Sequence, residues 1–320
     1  MAAAVVAGPL GSCQDPTFKT CDPHFERLQV AQVPLPHPGF GQALVQVEAS
    51  SVNPSDWKFM FMYQGIIGKD FTGKVVASVF PCDLKAGALV WGDAVKNGGL
   101  AEYIAMDCRK LGIRPAGWTA AQAGVLPHVG LASLQALTMA GAPWQAGPTV
   151  LVLGGSGGTG HVGVQLARAL GASRVVTTCS AEHEDGMRSL GVDQVIDYHT
   201  QNWWEVLTSV DVIFDTVGQD HTGEHAYAIL NNGGFLVTLA DGPLVLASPA
   251  TAQSRPQVSQ AFSALMDYPR GSLDTLKKMA DDGVLKVLIS KTYDLGHVLD
   301  ALEASRAGHA WGKISVEVAR

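Results

Sequence analysis

Charge is scarce in this chain. Of its 320 residues 16% are Asp, Glu, Lys or Arg, the net charge is −7, and no long run of one sign occurs. Binding to nucleic acid or to an anionic membrane needs clustered cations, so neither is expected as a main partner. Cysteine is sparse too. Cys13, Cys21, Cys82, Cys108 and Cys179 are scattered, odd in number and include no C-x-x-C. That argues against a disulfide framework and a four-Cys zinc lobe, and the thiols are expected to be reduced, as in an intracellular protein. No apolar run is long enough to span a bilayer. The apolar stretch Met1 to Leu10 meets its first cation only at Lys19. A signal peptide carries charge before its apolar core and a transit peptide carries arginines along it, so the stretch reads as a first β-strand. The expected compartment is the cytoplasm, with an organelle reached after transit-peptide removal as the alternative.

Hydrophobic residues, by contrast, make up 47% of the chain, enough for large cores, and the length suggests two domains. The centre of the sequence carries its strongest signal. Val150 to Leu153 is a run of branched apolar residues, as in a strand buried on both faces. A glycine-rich turn follows, and then Val162, Val164, Leu166, Ala167 and Leu170 recur at helical spacing. Within the turn, Gly155, Gly157 and Gly160 fill the pattern G-x-G-x-x-G, with Ser156, Gly158 and Thr159 between them. In a strand–turn–helix setting this is a dinucleotide fingerprint. The first Gly permits the tight turn, the second lets backbone approach a pyrophosphate, and the third lets the helix pack on the strand. The helix N-terminus adds free N–H groups and a partial positive charge.

Before this unit the chain reads as β. Ala43 to Ser50 alternates with period two, Asn53-Pro54-Ser55-Asp56 is a turn or helix-start signal, and short strands follow at Lys74 to Phe80, Ala88 to Trp91 and Leu100 to Met106. From Thr119 the period becomes helical, and after Val150 strands and helices alternate as far as Leu239, which predicts a parallel sheet with helices on both faces. Asp241 to Arg270 is looser, and the tail holds two helices and a last strand, Lys313 to Val318. The expected fold class is α/β, a Rossmann-type doubly wound parallel sheet plus a β-barrel domain. The expected division is residues 1–125, the first part of the catalytic domain; 126–267, the nucleotide domain; and 268–320, a return to the catalytic domain.

Two absences narrow the chemistry. NAD-preferring sites carry an acid at the end of the second strand, for the ribose 2′-OH. Here that strand ends Thr177, Thr178, Cys179, Ser180, small hydroxyls that leave room for a 2′-phosphate and can donate to it. Glu182, Glu184 and Asp185 crowd the region and would repel it. The expected cofactor is NADPH, with NADH as the alternative. No set of Cys and His suits a zinc ion: His221 and His225 stand at i, i+4 without a third ligand and read as a solvated helix face. No metal is expected.

Further motifs run along the whole chain: VEASSVNPSDWK at 47–58, GKDFTGKVV at 68–76, GGLAEYI at 98–104, LPHVGLASLQAL at 126–137, LGVDQVIDY at 190–198, DVIFDTVG at 211–218 and GHAWGKI at 308–314. Together they resemble the zinc-free medium-chain dehydrogenase/reductases of the quinone oxidoreductase type, close to the ζ-crystallin-like and reticulon-interacting-protein-like reductases. The resemblance implies a GroES-like fold for the β-barrel domain. Where zinc-dependent relatives carry a Cys and a His, this chain has Asn53 and Lys69. It also implies that Asn53 lies by the nicotinamide, and Asp56 and Lys58 near the substrate. Ser180 and Tyr198 match positions that contact the adenosine 2′-phosphate and ribose. His183 stands where some members carry a Lys for that phosphate. Val217 and Leu239 would line the nicotinamide ribose, and Lys313 matches a motif near the cofactor. Gly87-Ala88 replaces the family's Gly-Asp, and Thr159 replaces a Val.

The function this implies is transfer of hydride from NADPH to a quinone or an α,β-unsaturated carbonyl, a small-molecule substrate, without zinc. Tyr63 or Lys58 could supply a proton, with a core aromatic role as the other reading of Tyr63; a quinone would need no protein acid. Competing readings are a trans-acting enoyl-thioester reductase and an NADPH-binding regulatory or crystallin-like structural protein with little turnover. Family members form homodimers through strands of the nucleotide domain.

Overall fold

The computed structural model describes residues 1–8, 10–11, 22–240, 242, 244–265, 267–308 and 310–318. Cys13, Lys19, Cys21, Asp241 and His309 lie outside the described residues. Contacts divide the chain into two units: residues 1–131, 266–283 and 287–320 form the first, and residues 132–265 and 284–286 the second.

The first unit begins with β1 (Ala2–Val6), β2 (Leu28–Gln32), β3 (Gln42–Val52), α1 (Pro54–Lys58), β4 (Gly65–Ile66), β5 (Asp70–Ser78), β6 (Leu89–Asp93), β7 (Tyr103–Asp107), β8 (Gly112–Ile113) and α2 (Ala120–Gly124). α3 (Pro127–Met139) follows. The second unit holds β9 (Thr149–Leu153), α4 (Gly160–Ala169), β10 (Arg174–Cys179), α5 (Glu184–Ser189), β11 (Gln194–Asp197), α6 (Trp203–Val206), β12 (Val210–Asp215), α7 (Thr222–Ile229), β13 (Leu230–Thr238), α8 (Pro249–Ser254) and β14 (Ser259–Phe262). The chain then returns to the first unit with α9 (Arg270–Asp281), β15 (Ile289–Asp294), α10 (Val298–Ala307) and β16 (Lys313–Glu317).

In the second unit the strands order as β11-β10-β9-β12-β13-β14, all pairs parallel. Four of the five residues of β9 are buried, as a central strand covered on both faces requires. The core gathers Leu151, Val176, Ile213 and Leu236 under Trp203 and Tyr227. The sixth strand, β14, lies within the stretch read from the sequence as loose. Its neighbours are rich in Pro, Ser and Ala, and its burial does not alternate cleanly, so the period-two signal fails there.

In the first unit β3 is central. It pairs antiparallel with β5, β7 and β16, in a seven-stranded sheet that runs β15-β16-β3-β5-β6-β8. A three-stranded sheet, β2-β1-β4, holds the N-terminal strand. The registers correct the reading of the cysteines as wholly reduced. Ala43 pairs with Ser78 on one side and Gln42 with Asp107 on the other. The segments just beyond those residues therefore meet, and Cys82 and Cys108 form a disulfide with Cα atoms 5.5 Å apart. Cys179 is free and buried, and burial pushes its thiol up to about 11, which keeps it unreactive at neutral pH.

Candidate active site

In the second unit the glycine turn after β9 is a close-packed cradle, and its register differs from the expected one. The tight turn falls at Gly154, with φ +77°, and not at Gly155. The Gly154 N–H donates to Thr178 Oγ1 at 2.9 Å and the Gly155 N–H to the Thr178 carbonyl at 2.9 Å. A Cβ on Gly155 would stand 2.0 Å from Thr177 Oγ1, and one on Gly160 would stand 2.0 Å from the Gly154 carbonyl oxygen. The Gly157 N–H closes the turn on that same carbonyl at 3.0 Å. Glycines at 154, 157 and 160 thus pack the turn on itself and on β10. Ser156, Gly158 and Thr159 are half-buried beside them. The ten-residue α4 then starts with its N–H groups at the turn, the arrangement that receives a pyrophosphate.

Two neighbouring turns share this end of the sheet. The Asp215 carboxylate accepts the N–H groups of Val217 (2.9 Å) and Gly218 (3.0 Å), and its second oxygen accepts Thr238 Oγ1 at 2.9 Å. The Leu239 N–H reaches the Asp215 carbonyl at 2.9 Å. Val217 and Leu239 therefore follow the carboxyl ends of β12 and β13, where open α/β sheets bind ligands. Val217 is 57% exposed.

At the end of β10 the two hydroxyls differ. Thr177 Oγ1 donates to the Val152 carbonyl at 2.6 Å and is spent on the sheet, while Thr178 Oγ1 accepts the Gly154 N–H and keeps its own proton to donate. Ser180 and His183 are placed otherwise: Ser180 Oγ donates to Glu182 at 3.2 Å, and His183 Nε2 lies 3.6 Å from the same carboxylate. Tyr198 is exposed, its ring 4.2 Å from that of His199. Arg188 is held by Glu184 and the Asp193 carbonyl. His221 is exposed, but His225 is half-buried and stacks on Trp204 at 3.7 Å, so the solvated helix face expected for the pair holds only for His221.

The first unit buries a polar cluster around the facing strands β5 and β6. Asp70 and Asp93 are directly opposed across these strands and are both fully buried. Like charges so placed repel, and the surroundings supply the compensation. Asp70 accepts Ser51 Oγ (2.5 Å), Asn53 Nδ2 (2.8 Å) and the His128 N–H (2.6 Å), with Lys313 Nζ at 3.5 Å. Lys313 donates to Asn53 Oδ1 at 2.6 Å and to the Val52 carbonyl at 3.1 Å. His128 Nδ1 meets Asp93 Oδ2 at 2.7 Å. The Tyr268 hydroxyl donates to the Asp93 carbonyl at 2.8 Å. Asp56 caps α1, its Oδ2 taking the Asn53 N–H at 2.7 Å, while its buried Oδ1 has no partner.

The charges follow from these contacts. Burial raises Asp56 to about 6, against the pull of the Asn53 N–H and of Lys69, His128 and Lys313. Burial also acts to raise Asp70, but Lys313, His128, Asn53 and Ser51 outweigh it and hold Asp70 below its ordinary value. Burial lowers Lys313 despite Asp70 and Asp56. His128 is raised: burial opposes its charge, and Asp93 overcomes that.

Of the residues singled out from sequence, Asn53, Asp56 and Lys313 thus come together. Lys58 and Tyr63 stand differently. The Lys58 ammonium lies 5.7 Å over the Trp57 ring. Tyr63 packs against a core that includes Met60 and Ile67, and its hydroxyl donates to the Ile66 carbonyl at 3.2 Å. Sequence reasoning passed over Asp93, and named Asp70 and His128 only as parts of motifs. A signal was present for one of them: His128 is the sole titratable side chain between Ala123 and Leu137.

Comparison with known proteins places this architecture. The model of the alcohol dehydrogenase GroES-like domain matches residues 39–135, and that of the zinc-binding dehydrogenases matches residues 190–316. The chloroplast envelope quinone oxidoreductase homolog of Arabidopsis thaliana is 31% identical, over 91% of this chain and 94% of its own. The chain belongs to the quinone oxidoreductase type of the medium-chain dehydrogenase/reductase family. The reductase is also 36% identical to the trans-enoyl reductase pgmF of Aspergillus terreus, over 88% of this chain and 87% of that one. A mycobacterial protein solved in complex with NADPH matches it with a TM-score of 0.84 and 25% identity, over 99% of each chain.

The donor set of the reductase does not fit a catalytic zinc. Lys69 offers an ammonium that donates to the Val95 carbonyl at 2.8 Å, and Asn53 has both side-chain atoms engaged. The nearest carboxylate, Asp70, already receives three hydrogen bonds and a buried ammonium. Among the described residues the one grouping of three possible ligands is Asp22, His24 and Glu26, in an exposed turn. The glycine cradle, by contrast, fits a dinucleotide. No helix among the described residues is long and apolar enough to cross a membrane.

Proposed function

We propose that the reductase transfers hydride from NADPH to a quinone or an α,β-unsaturated carbonyl without a metal. The observation that carries this is the buried Asp70–Asn53–Lys313 cluster, in which the polar atoms are paired with one another and with a buried ammonium and leave no ligand set for a metal ion. Without a Lewis acid, an acceptor must be electrophilic in itself, as quinones and enones are. The names of the similar quinone oxidoreductase and trans-enoyl reductase agree. When bound, the reduced nicotinamide supplies the hydride. The glycine cradle and α4 would hold the pyrophosphate, with Val217 and Leu239 along the ribose. Ser180, His183 and Tyr198 would meet the 2′-phosphate. In the first unit Asn53 is buried, its amide fixed between Asp70 and Lys313.

NADPH and NADH oxidation by the full chain, followed with one quinone and one α,β-unsaturated ketone, tests the reading. Tight NADPH binding with no oxidation of either would leave the regulatory, crystallin-like reading. Similarity to pgmF favours enoyl-thioester turnover as a second reading, and an enoyl-thioester arm in the same assay distinguishes it.

Glu182 decides the nucleotide. Its carboxylate touches both Ser180 and His183 and would stand against a 2′-phosphate. Glu182→Gln is expected to lower KM for NADPH roughly three- to tenfold, the size of one exposed like-charge contact of about 1 kcal/mol, and to leave NADH unchanged. If KM for NADH rises and NADPH gains nothing, Glu182 holds a ribose 2′-OH and the NADPH assignment fails.

A further inference from the structure

We propose that His128, carried by the buried Asp93, is the catalytic acid that protonates the reduced substrate. The assignment rests on the hydride-transfer reading above. Four observations converge on it. His128 sits at the start of α3, the one titratable side chain in an apolar segment. Its Nδ1 is fixed by Asp93 at 2.7 Å and its backbone N–H by Asp70 at 2.6 Å, so the ring is oriented from two sides. Asp93 is fully buried and its Oδ1 has no partner, which leaves its charge directed at the imidazole. The imidazole itself keeps 19% of its surface exposed, and among the described residues Nε2 has no hydrogen-bond partner. A buried carboxylate on one ring nitrogen and an open second nitrogen is the arrangement of a positioned acid.

The other candidates are engaged elsewhere. Tyr63 donates to a backbone carbonyl, Lys58 lies over Trp57, and Asp56 caps α1.

The step balances with an enone as acceptor. Its β-carbon gains hydride, and the C=C electron pair moves to the carbonyl oxygen as an enolate. The Nε2–H bond of His128 breaks as its proton passes to the enolate oxygen, leaving neutral imidazole and an enol that tautomerises in solvent to the saturated ketone. Solvent returns the proton to Nε2. A quinone likewise takes the proton on oxygen. The groups facing His128 are Asp93, Asp70, Asp56 and Lys313.

The test compares wild type, His128→Gln and Asp93→Asn. The enone arm should lose on the order of 100-fold in kcat in His128→Gln, the usual worth of general acid catalysis. Asp93→Asn removes the carboxylate that favours imidazolium, so the alkaline limb of its pH–kcat profile should move to lower pH. A second readout needs no turnover: 4-nitrophenolate, a stable oxyanion, should bind cofactor-free wild type at least about tenfold more tightly than His128→Gln, the loss of one charge-assisted hydrogen bond. Full kcat, or equal nitrophenolate binding, in a folded His128→Gln protein overturns the assignment. If wild type turns over no acceptor yet nitrophenolate binding still depends on His128, the reaction reading falls and the oxyanion-facing acid stands. Should His128→Gln fail to fold, Asp93→Asn decides: a shifted limb supports the acid, an unshifted one overturns it.

Discussion

Lys313→Met should destabilise the first unit by about 3–5 kcal/mol, the cost of removing one partner from a buried ion pair. The ammonium is 4% exposed and joins three groups that have no access to water: Asp70, Asn53 Oδ1 and the Val52 carbonyl. Methionine keeps the volume and removes the charge. Asp70 would retain its bonds from Ser51, Asn53 and the His128 N–H, but it would face Asp93 across the strands with its principal counter-charge gone. Urea unfolding at neutral pH measures the loss. A loss below about 1 kcal/mol in the single variant would mean that Lys313 is solvated in solution and does not organise the cluster.

Much of the nucleotide unit is legible in the sequence, and the reason is local. β9, the glycine turn and α4 are contiguous, and their spacing is set by contacts within some ten residues. Even there the turn sits one glycine earlier than the motif suggests. The deciding contacts, Gly154 to Thr178 and Gly155 to Thr177, come from the neighbouring strand. Thr177, attractive as a phosphate donor in the sequence, spends its proton on the Val152 carbonyl. β14 escapes notice because its four residues carry no clean alternation. The disulfide escapes because it depends on both β5 and β7 pairing with β3.

The polar cluster is the least legible part. Asp93 and His128 are separated by 35 residues, Asp70 and His128 by 58, and Asn53 and Lys313 by 260. No periodicity connects such positions. Asn53 and Lys313 were found through family resemblance alone. The resemblance includes His128 in a motif without assigning it a role, and is silent on Asp93.

Asp56→Asn should stabilise the protein at neutral pH and not in mild acid. The sign follows from the direction of the shift. Burial raises the folded-state value of Asp56 from 3.8 to about 6. A raised carboxyl contributes stability that is fully present below its unfolded value and is lost as pH rises through its folded one. At pH above about 7 the wild type therefore carries an unfavourable ionisation of about 3 kcal/mol, from a shift of roughly two units at 1.36 kcal/mol each. Asparagine carries no charge, and its Oδ1 can still take the Asn53 N–H that caps α1. Its NH2 group would occupy the place of Oδ1, an atom without a partner, and an unsatisfied buried donor costs about 1 kcal/mol or more. The net expectation is a gain of about 2 kcal/mol near pH 7.5, which falls to about zero near pH 4.5, where unfolded Asp56 is already mostly ionised. Urea unfolding at the two pH values measures both. Equal effects at both would show that Lys69, Lys313 and His128 stabilise ionised Asp56 as much as burial penalises it. A crossing of the two stability curves would mean that the wild type keeps a destabilising acid beside Asn53. Such a cost is characteristic of groups retained for chemistry rather than for folding.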